Sequence, residues 1–238
     1  MDIALNLEQV QARIAAACDR AGRDPHSVQI LAVSKTHPPE TIRAAAAAGL
    51  TLFGENRVQE AKAKIPLCPG RLRWHMIGHL QSNKCRDAVH LFEMIQSVDS
   101  LSLAQELNKW GEKLSRNIRV LIEVNVAGES TKFGYSPERL RSELSELNQL
   151  PRLELHGLMT IAPWTKEVER VRPVFRRLRE LKEECEQILG VPLPVLSMGM
   201  SGDFEVAVEE GATLVRLGTI LFGPRQSTIR NVAPSEFE

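Results

Sequence analysis

The chain has 238 residues, 43% of them hydrophobic, enough to bury about 70 to 75% of the unfolded surface around one core. Its 30 basic and 30 acidic residues cancel, so no sequence-wide field attracts nucleic acid or anionic lipid. No apolar run reaches the roughly 20 residues that span a bilayer. We therefore expect one domain, residues 1–238, with no role in binding nucleic acid or in a membrane.

The N-terminal stretch "MDIALNLEQVQARI" has no basic segment followed by a long apolar one. The four cysteines, Cys18, Cys68, Cys85 and Cys185, are scattered along the chain without a CxxC pair. Both features favour a reduced, cytoplasmic location for the protein.

The first predicted element is an amphipathic helix in "NLEQVQARIAAACDRAGR". Leu7, Val10, Ile14 and Ala17 share one face at helical spacing, and Gly22 is suited to end the helix. This helix precedes the first predicted strand.

After this helix, apolar segments of strand type alternate with longer helical segments, as in βα units around a parallel sheet. The strand candidates are "VQILAVS", "LTLFGE", "LRWHMIG", "EMIQSV", "RVLIEVNV", "LELHGLM", "LPVLSMG" and "TLVRLG". Helix candidates between them include "PPETIRAAAAAG", which Pro39 opens and Gly49 closes, and "VEEG". Eight such units predict an α/β fold, a single-domain TIM (β/α)8 barrel with an extra N-terminal helix.

Lys35 lies where the first strand ends, in "ILAVSKTHPP". Functional residues of such barrels lie at the C-terminal ends of the strands, so this amine is expected at the barrel mouth. A lysine buried among apolar groups has a lowered pKa and can attack a carbonyl. Lys35 would then form a Schiff base with a sugar or keto substrate or with pyridoxal phosphate; the alternative is an ordinary surface lysine.

Two loops near the C-terminal end of the chain have the composition of a phosphate site. Small and hydroxyl-bearing residues follow the seventh and eighth strand candidates, the positions at which barrels often bind phosphate. They are Ser197, Gly199, Ser201 and Gly202 after the seventh, and Gly218 and Thr219 after the eighth. The alternative is that the glycines only make tight turns.

Arg216 precedes Gly218 by two residues, and strand alternation would point it into the site. A guanidinium does not release its proton at ordinary pH, so it would leave a facing pyridine nitrogen unprotonated and weaken the cofactor as an electron sink. Alternatively, Arg216 forms a buried ion pair with Asp203 or Glu205.

Five stretches carry a family resemblance: "LAVSKTHP", "FGENRVQE", "WHMIGHLQSNK", "HGLMTIAP" and "LSMGMSGDFEVAVEEGATLVRLGTILFG". In this order, from about Lys35 to Arg225, the sequence resembles the pyridoxal phosphate homeostasis protein family. The resemblance implies a cytoplasmic TIM barrel similar to the N-terminal domain of alanine racemases.

The resemblance also implies a cofactor site. It assigns the Schiff base with pyridoxal phosphate to Lys35, a cofactor contact to Asn56 and the pyridine nitrogen to Arg216. It assigns phosphate binding to Ser201, Gly218 and Thr219, and places Ser197 and Met198 beside the cofactor.

The function implied by the resemblance is vitamin B6 homeostasis without a known reaction, so no catalytic residue is expected. The expected partners are pyridoxal phosphate and the apoenzymes that require it, and the protein is expected to be a monomer. The main alternative is a pyridoxal phosphate-dependent racemase, which needs two positioned acid or base groups. The only tyrosine, Tyr135, is expected to be structural. A cofactor-free aldolase would use Lys35 but leave Arg216 without a task.

Three further polar residues need an interpretation. His75 and His79 lie four apart in "HMIGH", a spacing that binds metal on a helix. Because this segment is predicted as a strand entering a glycine turn, no metal site is expected. Glu55 either orients Asn56 or is a solvated carboxylate.

Overall fold

The computed structural model describes residues 2–224, in which eight parallel strands close into a barrel in chain order. The strands are β1 (Gln29–Val33), β2 (Leu52–Glu55), β3 (Arg73–Met76), β4 (Met94–Val98), β5 (Ile118–Glu123), β6 (Leu153–Met159), β7 (Val195–Ser197) and β8 (Leu214–Leu217). Each lies within or overlaps one of the eight predicted segments. The predicted TIM barrel is therefore confirmed.

Helices surround this barrel. They are α1 (Ile3–Arg20), α2 (Pro39–Ala47), α3 (Val58–Lys64), α4 (Cys85–Leu91), α5 (Leu101–Lys113), α6 (Pro137–Asn148), α7 (Arg172–Leu189), α8 (Phe204–Glu209) and α9 (Thr219–Phe222). The predicted N-terminal helix is α1, and the side chain of Asp2 caps its N-terminus. The predicted apolar face of α1 is buried, and the helix packs against α8 and α9. The helix predicted at "VEEG" begins earlier than expected, at Phe204.

The strands bury both faces, which explains their nearly continuous apolar sequences. Outward side chains such as Phe53 and Trp74 pack against the helices in the main core. Inward side chains such as Leu31, Leu52 and Leu214 form a separate cluster inside the barrel. None of the helices in the described part of the chain is long and apolar enough to cross a membrane.

Closure of the barrel brings the first and last strands together. β1 pairs with β8 in a register that places Leu31 beside Arg216 and Ala32 beside Leu217. The C-terminal end of β1, with Lys35 two residues beyond it, therefore lies next to the end of β8. The segment 225–238, including Arg225 at the end of the region of family resemblance, lies outside the described residues. The assignment of residues 1–238 to a single domain remains a prediction.

Gly157 is a backbone constraint on this closure. It lies in β6 where the pairing with β5 shifts register, with φ of +153°. A Cβ at this position would lie 1.7 Å from the carbonyl oxygen of Val195 in β7. Because the position of a Cβ is fixed by the backbone and the clashing atom is a backbone oxygen, no rotamer change relieves the clash. A glycine is required where β6 meets β7.

We expect Gly157→Ala to lower the free energy of unfolding by about 3 kcal/mol, the upper end for overpacked sites. Urea denaturation measures this, with Gly70→Ala as the control, because Gly70 is exposed and a Cβ there meets open space. Equal stability of the two variants would contradict the assigned contact between β6 and β7.

Candidate functional site

A cavity of about 470 Å³ opens at the C-terminal ends of the strands. Its lining includes six of the eight predicted cofactor residues: Lys35, Asn56, Ser201, Arg216, Gly218 and Thr219. Apolar side chains complete the walls, among them Val33, Ile77 and Val171. The barrel thus brings together residues that are up to 184 positions apart, from Lys35 to Thr219.

Lys35 follows β1 on the inward side of the barrel. It has the same strand parity as Leu31 and Val33, whose side chains belong to the cluster inside the barrel. Its side chain is half-buried and lines the cavity, as the sequence predicts. The next residue, Thr36, has a left-handed backbone with φ of +67°, a conformation that is costly for a residue with a Cβ.

A buried ion pair lies behind Lys35, between the barrel wall and α3. Lys64 donates to Glu55 at 2.8 Å, and the Ser34 hydroxyl donates to the same carboxylate oxygen at 2.6 Å. Glu55 is fully buried, and burial raises its pKa against the opposing bonds from Lys64 and Ser34. Glu55 is therefore not a solvated carboxylate, and its hydrogen bonds are made with Lys64 and Ser34.

The predicted phosphate loops meet at Ser201. Its hydroxyl oxygen accepts from the backbone N–H groups of Gly218 at 3.4 Å and Ile220 at 3.3 Å, which joins the loop after β7 to the loop after β8. Gly199 shapes the first loop with φ of +94°, and a Cβ there would lie 2.6 Å from the Cβ of Ala207. Backbone N–H groups and a hydroxyl therefore converge on one side of the cavity, as an anion site requires.

Arg216 enters the site from the barrel interior and is 4% exposed. Its Nη1 donates to the Ser197 hydroxyl oxygen at 2.6 Å and its Nη2 donates to the Thr160 carbonyl oxygen at 2.7 Å. Burial lowers the pKa of Arg216 to about 10, opposed by the charges of Glu123 and Asp203. The guanidinium is therefore still charged at neutral pH.

The predicted alternative of an ion pair between Arg216 and Asp203 or Glu205 can be compared with the observed contacts. Glu205 pairs with Arg13 at 2.7 Å on the outside of the barrel, so it is not the partner of Arg216. Asp203 acts on Arg216 through its charge, and its own pKa is raised by burial. Arg216 is held mainly by neutral oxygen acceptors.

A chain of hydrogen bonds continues from Arg216 across the barrel interior. Ser197 accepts from Arg216 and donates to Gln96 Oε1 at 2.7 Å, and Gln96 Nε2 lies 2.8 Å from His75 Nδ1. The Gln96 amide turns its oxygen to Ser197 and its nitrogen to His75; since an amide N–H group only donates, His75 Nδ1 is the acceptor. His75 is therefore neutral with its proton on Nε2. Burial, the largest cause, lowers its pKa to about 4.

Two predicted cofactor residues lie outside the lining of this cavity. Ser197 lies behind Arg216 in the hydrogen-bond chain, and Met198 is fully buried in the main core between the barrel and the helices. Asn56 does line the cavity, and its Oδ1 is buried with no hydrogen-bond partner among residues 2–224. A buried acceptor of this kind fits a ligand that donates a hydrogen bond.

The histidines and the tyrosine have separate environments. His79 Nδ1 lies 2.9 Å from Asp99, whereas His75 faces the barrel interior, so the two rings do not converge. Within residues 2–224 no group of three or more histidine, cysteine or acidic side chains could hold a metal ion. Tyr135 is fully buried beside β5, with its backbone paired to Glu123.

Gln96, Thr160 and Lys64 were not among the predicted site residues. Gln96 had a detectable signal, a polar side chain at an inward position of the apolar strand "EMIQSV". Thr160 contributes a backbone oxygen, so its identity carried little information. Lys64 lies on α3, which was not among the predicted helices, and its partners are Ser34 just after β1, Glu55 at the end of β2 and Glu60 on α3 itself.

The donor set supplies three kinds of chemistry on one cavity: a primary amine, a fixed guanidinium and an anion loop. An amine can condense with an aldehyde or ketone. The loop suits a phosphate, and the apolar walls suit an aromatic ring. The residues present thus fit a phosphorylated aromatic aldehyde.

The barrel and its site match a known class of protein. Residues 5–226 match the family model described as "Alanine racemase, N-terminal domain". An alanine racemase of Clostridium difficile has a similar fold, with a TM-score of 0.71 at 18% identity, covering 95% of this chain and 58% of that one.

The relatives of higher sequence identity belong to a more specific group of proteins. A protein of Aquifex aeolicus named "Pyridoxal phosphate homeostasis protein" is 48% identical over 227 residues, covering 95% of this chain and all of that one. PipY of Synechococcus elongatus, solved with pyridoxal phosphate bound, is 42% identical with a TM-score of 0.81, covering 93% of this chain and 100% of that one. The chain belongs to the pyridoxal phosphate homeostasis protein family, and the predicted resemblance is confirmed.

We expect His75 to stay neutral from pH 8 to pH 5, observed as an unchanged imidazole NMR signal. Its pKa is about 4 in the folded protein and about 6.5 when unfolded, so the unfolded chain binds more protons between these values. Stability from this group is complete above pH 6.5 and falls by about 3 kcal/mol as the pH approaches 4. His75→Gln should remove this part of the pH dependence. Titration of the wild-type ring near pH 6.5 would contradict the assigned tautomer.

Proposed function

We propose that this protein binds pyridoxal phosphate, holds it through a Schiff base on Lys35 and serves vitamin B6 homeostasis without catalysing a reaction. The observation that carries the proposal is the convergence of Lys35, Arg216 and the loop at Ser201 on one cavity. A related protein of the same family has been solved with pyridoxal phosphate bound.

Seven of the eight predicted residues then have a task, the exception being Met198, which is buried in the main core. The Lys35 amine condenses with the aldehyde, and Ser201, Gly218 and Thr219 bind the phosphate. Asn56 accepts a hydrogen bond through its buried Oδ1, and Arg216 faces the pyridine nitrogen. Ser197, which lies behind Arg216, supports the guanidinium and acts on the cofactor through it.

Arg216 supports a holding role for the site. Pyridoxal phosphate supplies an electron sink when its ring nitrogen is protonated. A guanidinium that remains charged at neutral pH donates to that nitrogen and cannot protonate it. The hydrogen bonds to Ser197 and Thr160 keep this donor in place. The site therefore favours retention of the cofactor over carbanion chemistry.

A racemase is the second candidate function, because the chain matches the alanine racemase N-terminal model. Racemisation needs an acid or base on each face of the substrate carbon. Tyr135 is fully buried, and burial is the largest cause raising its pKa, both unfavourable for a base at the cavity. This environment supports the holding role over the racemase.

In the cell we propose that residues 1–238 act as one domain and as a cytoplasmic monomer. The protein then either buffers the reactive aldehyde or delivers it to apoenzymes that require the cofactor. Comparing the rate of activation of a purified apoenzyme by the loaded protein and by free cofactor separates the two roles. Equal rates would argue against delivery.

The first test uses the visible absorbance of the purified protein loaded with pyridoxal phosphate. We expect the wild type to be yellow and borohydride reduction to fix the cofactor on the Lys35 peptide, detected by mass spectrometry. Lys35→Ala should lose the fixed cofactor, whereas Lys84→Ala, at a neighbouring cavity of the barrel mouth, should retain it. Fixation at another lysine in the wild type would contradict the assignment to Lys35.

The second test measures turnover. Incubation of the loaded protein with L-alanine should give no D-alanine above the level produced by free pyridoxal phosphate, because Tyr135 is fully buried outside the cavity lining and cannot supply the second acid or base group. Chiral chromatography measures the two enantiomers, with an authentic alanine racemase as the positive control. Robust conversion would favour the racemase.

A further inference from the structure

Lys64 is an unusual residue to find between a barrel wall and a helix. It lies at the end of α3, its side chain is 7% exposed, and it is within 4 Å of two carboxylates, Glu55 and Glu60. An ammonium group has three N–H donors. Lys64 uses three acceptors: Glu55 at 2.8 Å, Glu60 at 2.6 Å and the Ser34 carbonyl oxygen at 2.9 Å.

Each of these three bonds leads to a residue next to Lys35 in the chain. The Ser34 carbonyl is bonded directly, and Glu55 also accepts from the Ser34 hydroxyl. Glu60 accepts from the backbone N–H of Thr36 at 2.6 Å. Lys64 is thus connected to the backbone on both sides of Lys35, from the face of the strand opposite the cavity.

The contribution of this network to stability is not enough to explain why it is charged. A buried ion pair gains little stability over apolar side chains of similar volume, because removing the charges from water costs about as much as their attraction returns. Its advantage is direction, since hydrogen bonds fix orientation and apolar contacts do not. Here the fixed element includes Thr36, whose left-handed backbone needs support from its surroundings.

We propose that Lys64 is a positioning residue for Lys35: its bonds to Ser34, Glu55 and Glu60 fix the turn that presents the Lys35 amine to the cavity. The inference rests on the proposed function, in which that amine attacks an aldehyde. Such a reaction depends on placement, and a misplacement of about 1 Å can cost roughly 100-fold in rate.

The test removes the buried ion pair without leaving either partner unpaired, while Glu60, which is 26% exposed, keeps its bond to the Thr36 amide. The double variant Lys64→Met with Glu55→Leu replaces the pair with apolar side chains, so the protein should fold with a stability close to that of the wild type. Lys62→Met is the matched control, because Lys62 lies on the same helix, is 63% exposed and pairs with Asp87. Thermal unfolding of all three proteins establishes that they fold.

We expect the double variant to form the borohydride-fixable bond at Lys35 at least 10-fold more slowly than the wild type, with Lys62→Met unchanged. The comparison ligand is 4′-deoxypyridoxine 5′-phosphate, which keeps the ring and the phosphate but has no aldehyde. Its affinity, measured by the change in tryptophan fluorescence, to which Trp164 at the cavity wall contributes, should change less than 2-fold. If the affinity for the aldehyde-free ligand falls as much as the rate of bond formation at Lys35, the role of Lys64 is merely structural and the proposal is overturned. An unchanged rate of bond formation would overturn it as well.

A cofactor-free measurement separates this inference from the proposed function. In the protein without ligand, hydrogen exchange at the amides of Thr36 and His37 should be at least 10-fold faster in the double variant, with the amides of β5 unchanged. Unchanged exchange at Thr36 would overturn the positioning role. If instead the wild type forms no bond at Lys35 while Thr36 exchange rises as expected, the proposed function fails and the positioning of the turn by Lys64 stands.

Discussion

The pairing of β1 with β8 is the constraint on which the site depends. It places Leu31 beside Arg216 and thereby brings the end of the first strand next to the end of the last. Lys35 and the loop at Gly218 meet only because the barrel closes at this seam. Gly157 contributes two strand pairs away from this seam, where a side chain of any size would separate β6 from β7. The geometry of the cavity is therefore a property of the closed barrel.

Two polar networks support the cavity from different sides of the barrel wall. Inside the barrel, the chain from His75 through Gln96 and Ser197 holds Arg216. Outside it, Lys64 and its partners hold the backbone around Lys35. Both networks are buried, and in low dielectric their hydrogen bonds have well-defined directions. The functional groups at the cavity are thus held by residues that do not themselves line it.

The outcome at individual residues shows where sequence reasoning succeeds. The position of Lys35 followed from strand periodicity and from the rule that functional residues lie at the carboxyl ends of barrel strands. The environment of Glu55 was not predicted because its partner, Lys64, lies on α3, which was not among the predicted helices. Ser197 and Met198 adjoin the phosphate loop in sequence, yet strand parity directs Ser197 inward to Arg216 and Met198 outward to the core.

The sequence by itself determined the architecture: the period of the apolar residues encodes eight strands and the helices between them, and the family resemblance supplied the expected cofactor. These are local properties, readable over windows of a few residues. Only the tertiary structure decided how the polar side chains pair, which tautomer His75 adopts and which residues lie behind Lys35. Those outcomes depend on contacts between strands and helices far apart in the chain, and hydrogen-bond partners within about 3 Å cannot be inferred from residue spacing alone.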